Sequence, residues 1–173
     1  MKNEEQLILV DVTDRQQGLD SKTNIHTRAL LHRAFSIMIY NSKGELLIQK
    51  RADSKYHSAG LWANSCCGHP KNKEDTKVAA QRRLYEELGF TCNLSKVTEL
   101  SYSLSLGDDM YENEYTHVFA GQYDGDILPN PAELSNIKWI KPELLKQNCD
   151  LHPERYSKWL HLYLSDYYNE IFI

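Results

Sequence analysis

Residues 64–90 read Asn64-Ser65-Cys66-Cys67-Gly68-His69-Pro70-Lys71-Asn72-Lys73-Glu74-Asp75-Thr76-Lys77-Val78-Ala79-Ala80-Gln81-Arg82-Arg83-Leu84-Tyr85-Glu86-Glu87-Leu88-Gly89-Phe90. The part before Lys71 contains Gly68 and Pro70 and reads as a loop rather than a strand. The part after it reads as a helix from Glu74 to Leu88. Glu74 and Asp75 would occupy the first turn, where carboxylates suit the positive end of the helix dipole, and Gly89 stands where a left-handed C-cap belongs. At about 100° per residue, Arg83 and Glu87 share one helix face, and Arg82 and Glu86 share the next. Such pairs alone describe an ordinary solvated helix. The spacing says more: Gly68, five residues, Glu74, seven residues, Arg82-Arg83-Leu84, one residue, Glu86-Glu87, one residue, Gly89-Phe90.

Outward from this stretch, the chain alternates strand and turn signals. Leu7 to Val12 is apolar and β-branched, and Asp14 to Asn24 is polar and turn-rich. Ala34 to Tyr40 and Glu45 to Arg51 form a hairpin around Asn41-Ser42-Lys43-Gly44, whose glycine tolerates a positive φ. Val97 to Leu106 and Glu114 to Tyr123 flank the acidic turn Gly107-Asp108-Asp109, and Ile137 to Ile140 is another short strand. Pro153 suits a first helical position, and Tyr156, Trp159, Leu160, Tyr163, Tyr167 and Ile171 then follow helical spacing. Strands, a central helix, more strands and a terminal helix make an α/β (α+β) sandwich in one domain, residues 1–173.

Composition narrows the function. A net charge of -4 over 173 residues, with a pI near 6.0, argues against a general nucleic-acid or membrane surface. An anionic ligand must therefore meet a local basic cluster. Four cysteines, two of them adjacent, form neither a secreted disulfide framework nor a CxxC zinc signature, so reduced cytoplasmic thiols are expected. No stretch approaches the roughly 20 apolar residues of a membrane span.

Two constellations carry chemistry. Cys67, between Cys66 and Gly68 and two residues from His69, reads as a small buried thiol in most loops, but beside a metal site it can serve as an acid or base. Glu112-Asn113-Glu114 puts two carboxylates on one face of an extended strand. With His26, His32 and His69 they would suit octahedral Mn²⁺ or Fe²⁺, or Zn²⁺ with an adjusted shell, better than a closed structural zinc site.

The frame from Gly68 to Phe90 resembles the Nudix box, with one change: the family's pattern has a metal-binding glutamate where this chain has Arg83. An arginine cannot ligate Mg²⁺ but grips diphosphate oxygens through several fixed donors. Nearly the whole chain resembles the type I isopentenyl-diphosphate isomerases of the Nudix superfamily. The resemblance is carried by His26, Leu30-Leu31-His32-Arg33-Ala34-Phe35-Ser36, Arg51-Ala52-Asp53-Ser54-Lys55, Trp62-Ala63-Asn64-Ser65-Cys66-Cys67-Gly68-His69-Pro70, Arg82-Arg83, Glu86-Glu87-Leu88-Gly89 and Tyr111-Glu112-Asn113-Glu114.

The resemblance implies a Nudix-like α/β/α sandwich with a mixed sheet, and interconversion of isopentenyl and dimethylallyl diphosphate. It implies Cys67 and Glu114 as the catalytic pair with Tyr102 beside Glu114, and His26, His32, His69, Glu112 and Glu114 around Mn²⁺, Zn²⁺, Fe²⁺ or Mg²⁺. A second Mg²⁺ would lie on Glu87 and the Cys67 carbonyl, with Lys22, Arg51, Lys55 and Arg83 on the diphosphate and Trp159 near the tail. Spacing alone equally makes Lys22 a solvated surface residue and Trp159 a core anchor. The five-residue gap between His26 and His32 departs from the family's longer one; an extended segment would still keep both rings on one face. A monomer without nucleic-acid or membrane partners is expected. The competing readings are a Nudix hydrolase of nucleoside or sugar diphosphates and a noncatalytic metal- or diphosphate-binding module.

Overall fold

The computed structural model describes residues 4–172. In chain order it contains β1 (Gln6–Val10), β2 (Gln16–Ser21), α1 (Lys22–Thr27), β3 (His32–Tyr40), β4 (Leu46–Arg51), β5 (Trp62–Ala63), β6 (Cys66–Gly68), α2 (Thr76–Leu88), β7 (Ser95–Gly107), β8 (Met110–Gln122), β9 (Leu134–Ile140), α3 (Pro142–Leu151), a 3₁₀ turn (Pro153–Arg155), α4 (Lys158–Asp166) and α5 (Tyr168–Ile171). The strands join in one mixed sheet.

β3 organises this sheet, because Ala34 through Tyr40 are all buried and so must be covered on both faces. Phe35, Ile37 and Ile39 pack with Ala79, Ala80, Leu84 and Leu88 of α2. Met38 and Tyr40, on the opposite face, pack with Leu145, Leu160, Tyr163 and Leu164 of α3 and α4. The result is the expected α/β/α sandwich with a mixed sheet. β3 runs parallel to β8 from His32 opposite Glu114 to Tyr40 opposite Gln122. On its other side it pairs antiparallel with β6, Ser36 opposite Cys67.

The central helix begins later than its acidic residues suggest. Asp75 is the N-cap, its side chain accepting from the Lys77 and Val78 amides. Glu74 lies outside the helix and receives two hydrogen bonds from Arg82, at 2.7 and 2.9 Å. Gly89 does end the helix in the left-handed region, at φ +76°. A Cβ on Gly68 would meet Phe35 Cζ at 2.9 Å and Arg83 Cγ at 3.4 Å, so the absence of a side chain there lets α2 approach the sheet.

Several local expectations are corrected. The Cys66–Gly68 segment is a short strand rather than a loop, because Asn64 and Ser65 wedge between β3 and β4. Asn64 Nδ2 donates to the Ile37 and Cys66 carbonyls, while Ser65 Oγ accepts from the Ile39 amide and donates to the Leu47 carbonyl. The Asp14–Asn24 region holds β2 and the start of α1 instead of only turns. The apolar run from Leu7 extends as a strand only to Val10, and Val12 is exposed. After Pro153 comes a single 3₁₀ turn, and helix resumes only at Lys158. Helix α3 has Pro142 in its first turn and Glu143 beside it.

Candidate active site

The register of the sheet sets the site's side chains abreast. Glu114 on β8 lies opposite His32 of β3 and also opposite Tyr102 of β7. Glu112, two residues earlier, shares that face as its spacing requires. His26 arrives differently from the expected extended segment: it sits in the last turn of α1, and the chain then reverses through Ala29 at φ +52° before His32 opens β3. The two rings still meet, with centroids 5.2 Å apart.

Both rings are oriented through Nδ1, which contacts the Lys22 carbonyl at 2.7 Å in His26 and the Leu30 carbonyl at 2.9 Å in His32. A carbonyl only accepts, so Nδ1 carries a proton in both rings, and in its neutral form each turns an Nε2 lone pair inward; burial opposes charge on His26, but Glu112 outweighs it and raises that ring's pKa. Nε2 of His26, His32 and His69 and Oε2 of Glu112 are buried without a hydrogen-bond partner. His26 Nε2 is 3.3 Å from Glu112 Oε2, His32 Nε2 is 3.8 Å from Glu114 Oε1, and His69 Nε2 is 3.4 Å from Glu114 Oε1. Orphaned imidazole lone pairs converging with two carboxylates fit a divalent cation, which would satisfy them all.

His57, which the motifs did not single out, joins this group, its Nε2 3.3 Å from Glu112 Oε1. The ligand atoms of His26, His57 and Glu112 all lie within 4.8 Å of one another, close enough to share a metal ion. A lone histidine in a polar loop carries no spacing signal, so it was not legible beforehand.

Burial sets the charges in the metal-free protein. It brings His32 down to about 3, assisted by the charge of His69, and His57 down to about 3, assisted by Arg51. Burial and the charge on Glu114 push Glu112 up to about 7. Burial would raise Glu114 too, but the close approach of His69 and the charge of His32 outweigh it and hold the carboxyl at about 2. One negative charge thus dominates a pair of adjacent carboxyl groups.

Across β3, burial pushes the Cys67 thiol up to about 12. It donates to Asn64 Oδ1 at 3.1 Å, and the same oxygen accepts from Trp159 Nε1 at 3.1 Å. Asn64 thereby fixes both the thiol and the indole. From Cys67 Sγ, hydroxyl groups run through Ser36 Oγ at 3.5 Å and Tyr163 at 2.9 Å to Tyr102 at 3.4 Å. Tyr102 in turn donates to Glu114 Oε2 at 2.5 Å.

The other end of the cavity is basic. Lys22 pairs with Glu5 at 2.9 Å. Arg51 donates to the His57 carbonyl at 3.2 Å and lies 5.4 Å from the centre of the Trp159 ring. Lys55 pairs with Glu133. Arg83 meets Glu87 at 2.5 Å, Glu86 at 2.7 Å and Glu133 at 3.3 Å. Burial works against the Arg83 charge, but Glu87 and Glu133 outweigh it and raise its pKa. Glu87, itself buried, also accepts from Gln49 at 2.9 Å.

One cavity of about 220 Å³ gathers Lys22, Arg51, Lys55, Cys67, His69, Arg83, Glu87, Tyr102, Glu112, Glu114 and Trp159. His26 and His32 stand behind the carboxylates. Every residue assigned from the sequence is therefore brought to one place, while Glu5, His57 and Glu133 are additions.

The NUDIX domain family matches residues 30–163. An isopentenyl-diphosphate Delta-isomerase of Serratia proteamaculans is 45% identical over 163 residues, 94% of this chain and 91% of that protein. Another, from Photorhabdus laumondii, is 47% identical over 156 residues, 90% of this chain and 88% of that one. Among solved structures, a Deinococcus radiodurans protein superimposes with a TM-score of 0.77 at 22% identity, covering 92% of this chain and 97% of its own. A MutT protein of Methanosarcina mazei gives 0.66 at 20% identity, over 81% and 94%. These two likenesses concern the fold alone.

Proposed function

The chain belongs to the isopentenyl-diphosphate Delta-isomerase family of NUDIX domain proteins, and from that premise we propose how its cavity converts isopentenyl diphosphate into dimethylallyl diphosphate. The protein is an isomerase that moves a carbon–carbon double bond by adding a proton at one carbon and removing one from another. The observation that carries the assignment of roles is that Cys67 and Glu114, from strands on opposite sides of β3, line one cavity whose other end is basic.

Lys22, Arg51, Lys55 and Arg83 take the diphosphate through charge-assisted hydrogen bonds. That anchors the tail between Cys67 and Glu114. Cys67 passes its thiol proton along Ser36, Tyr163 and Tyr102 to Glu114, whose carboxyl delivers it to the alkene, and the thiolate left behind takes the second proton from the adjacent carbon. Protonation of an unactivated alkene leaves a tertiary carbocation, so the walls must offer negative or aromatic faces and exclude water. Trp159, only 4% exposed, supplies an aromatic face, about 1–2 kcal/mol of cation–π stabilisation when desolvated. Asn64 keeps both the indole and the thiol in position.

The residues fit two divalent ions. When bound, Mn²⁺ (or Zn²⁺, Fe²⁺ or Mg²⁺) on His26, His32, His69, Glu112 and Glu114 would acidify the carboxyl end, and Mg²⁺ on Glu87 and the Cys67 carbonyl would neutralise diphosphate charge. Arg83 stands at the box position of a cleaving carboxylate and instead offers donors to phosphate. The working form proposed is a cytoplasmic monomer; among the described residues no helix is long and apolar enough to cross a membrane.

The test is to incubate metal-loaded protein with isopentenyl diphosphate in D₂O and follow product and deuterium by NMR. Dimethylallyl diphosphate with deuterium in its new methyl group is expected, without phosphate release from nucleoside diphosphates. Hydrolysis in the absence of isomerisation would overturn the assignment.

A further inference from the structure

Three of the four basic side chains at the cavity already have carboxylate partners: Lys22 has Glu5, Arg83 has Glu87, and both Lys55 and Arg83 have Glu133. Arg51 differs, for its Nε is buried and has no hydrogen-bond partner. Glu133 also differs from the other acids, because a single oxygen, Oε2, bridges two cations that come from separate segments.

The backbone around Glu133 is fixed. Its amide donates to the Asn130 carbonyl at 2.9 Å, its carbonyl accepts from the Ala52 amide at 3.1 Å, and the Asn130 amide is tied to the Glu87 carbonyl at 2.8 Å. The turn before β9 is thus anchored both to the strand end that carries Arg51 and to the helix that carries Glu87. From that anchored turn the carboxylate points into the basic end, its side chain 19% exposed.

We propose that Glu133 is a specificity-determining residue whose carboxylate occupies the place of a phosphate oxygen and yields only to an anion that engages Lys55 and Arg83 together. The proposal rests on the reading of those two residues as diphosphate binders. In the empty protein the bridging oxygen holds two like charges close together, so the cations stay assembled for the ligand. An anion that reaches Arg51 alone gains one partner and faces the Glu133 charge. A diphosphate has a second phosphoryl group with which to replace that charge at both cations. Discrimination against monophosphates then comes from a repulsive element built into the site, not from an additional attractive one.

Calorimetric titration of inorganic pyrophosphate and inorganic phosphate in EDTA, on the wild type, Glu133→Gln and Arg51→Ala, tests this. Glu133→Gln should bind pyrophosphate roughly threefold and phosphate roughly tenfold more tightly, so that the preference for pyrophosphate shrinks. Glu133→Asp, whose carboxylate is drawn back by one methylene, should move both affinities the same way by less, and serves if the glutamine variant melts early. Unchanged or weaker pyrophosphate binding in folded Glu133→Gln, together with binding that Arg51→Ala abolishes, overturns the proposal alone. Absence of pyrophosphate binding in the wild type and Glu133→Gln alike overturns the diphosphate reading and the proposal with it.

Discussion

Replacing Arg83 by methionine should destabilise the metal-free protein by about 2–3 kcal/mol, and the figure can be built contact by contact. The pair with Glu86 involves a side chain 39% exposed and is worth at most about 1 kcal/mol. The pair with Glu87 is different, because that carboxylate side chain is only 7% exposed. Removing one partner of a buried ion pair costs about 3–5 kcal/mol, since the other charge is left uncompensated. Two features lower that range. Arg83 is itself 23% exposed, so water reaches the pair, and Gln49 continues to donate to Glu87. Methionine keeps the alkyl stem that packs over Gly68, so little of the loss should come from packing.

The assay is urea and thermal unfolding followed by tryptophan fluorescence, in EDTA and again in excess Mg²⁺. At roughly 2–4 °C per kcal/mol for a chain of this size, the melting temperature should fall by about 5–10 °C. Mg²⁺ should then stabilise the variant more than the wild type, because Glu87 and Glu133 no longer share an arginine. Tenfold excess over the dissociation constant would return about 1.4 kcal/mol. A loss below about 0.5 kcal/mol, or equal Mg²⁺ effects on both proteins, would refute the reasoning that the Arg83 guanidinium compensates the buried Glu87 charge.

Cys67→Ala should lower turnover by at least about 100-fold with melting profile and metal content unchanged, as removal of an acid/base group requires; near-wild-type turnover would eliminate the thiol's role. Trp159→Leu should lower kcat about tenfold with KM preserved, through the lost cation–π contribution, whereas lower stability at unchanged kcat would make the indole a core anchor only. The metal-free protein should weaken in acid, because His32 titrates at about 3 when folded and at 6.5 otherwise. A histidine whose pKa is depressed by folding keeps its full contribution above 6.5 and loses it as pH falls towards 3, about 2 kcal/mol being gone at pH 5. Urea titrations at pH 7 and pH 5 measure this, and His32→Asn should flatten the slope; an equal slope in that variant would assign the acid sensitivity elsewhere.

What was legible in the sequence was what local chemistry encodes. Gly89, the Asn41–Gly44 turn and the Glu112-x-Glu114 alternation need only near neighbours, and each appears where its residues put it. The β6 strand was hidden because its pairing depends on Asn64 and Ser65 bonding to backbone far along the chain. Helix α1 was hidden because Ile25 is the one apolar residue among its six and a single residue shows no apolar period, although Ser21 does cap it. His57 and Glu133 join the site through tertiary folding alone, and no spacing pattern announces either one.

The two faces of the sheet separate the two parts of the chemistry. Ser36, opposite Cys67, and His32, opposite Glu114, lie on the even-numbered face of β3, which α4 covers with Tyr163. Phe35, on the odd-numbered face, packs in the cluster of α2, and Arg83 and Glu87 reach the cavity from that helix. A change in the box at Arg83 therefore alters the diphosphate end without touching the register that aligns the proton-handling groups. The converse also follows. A slip of β8 by one residue against β3 would turn Glu112 and Glu114 towards α2 and remove both carboxylates from the histidines at once, so the parallel pairing of these two strands fixes the metal and acid end of the site.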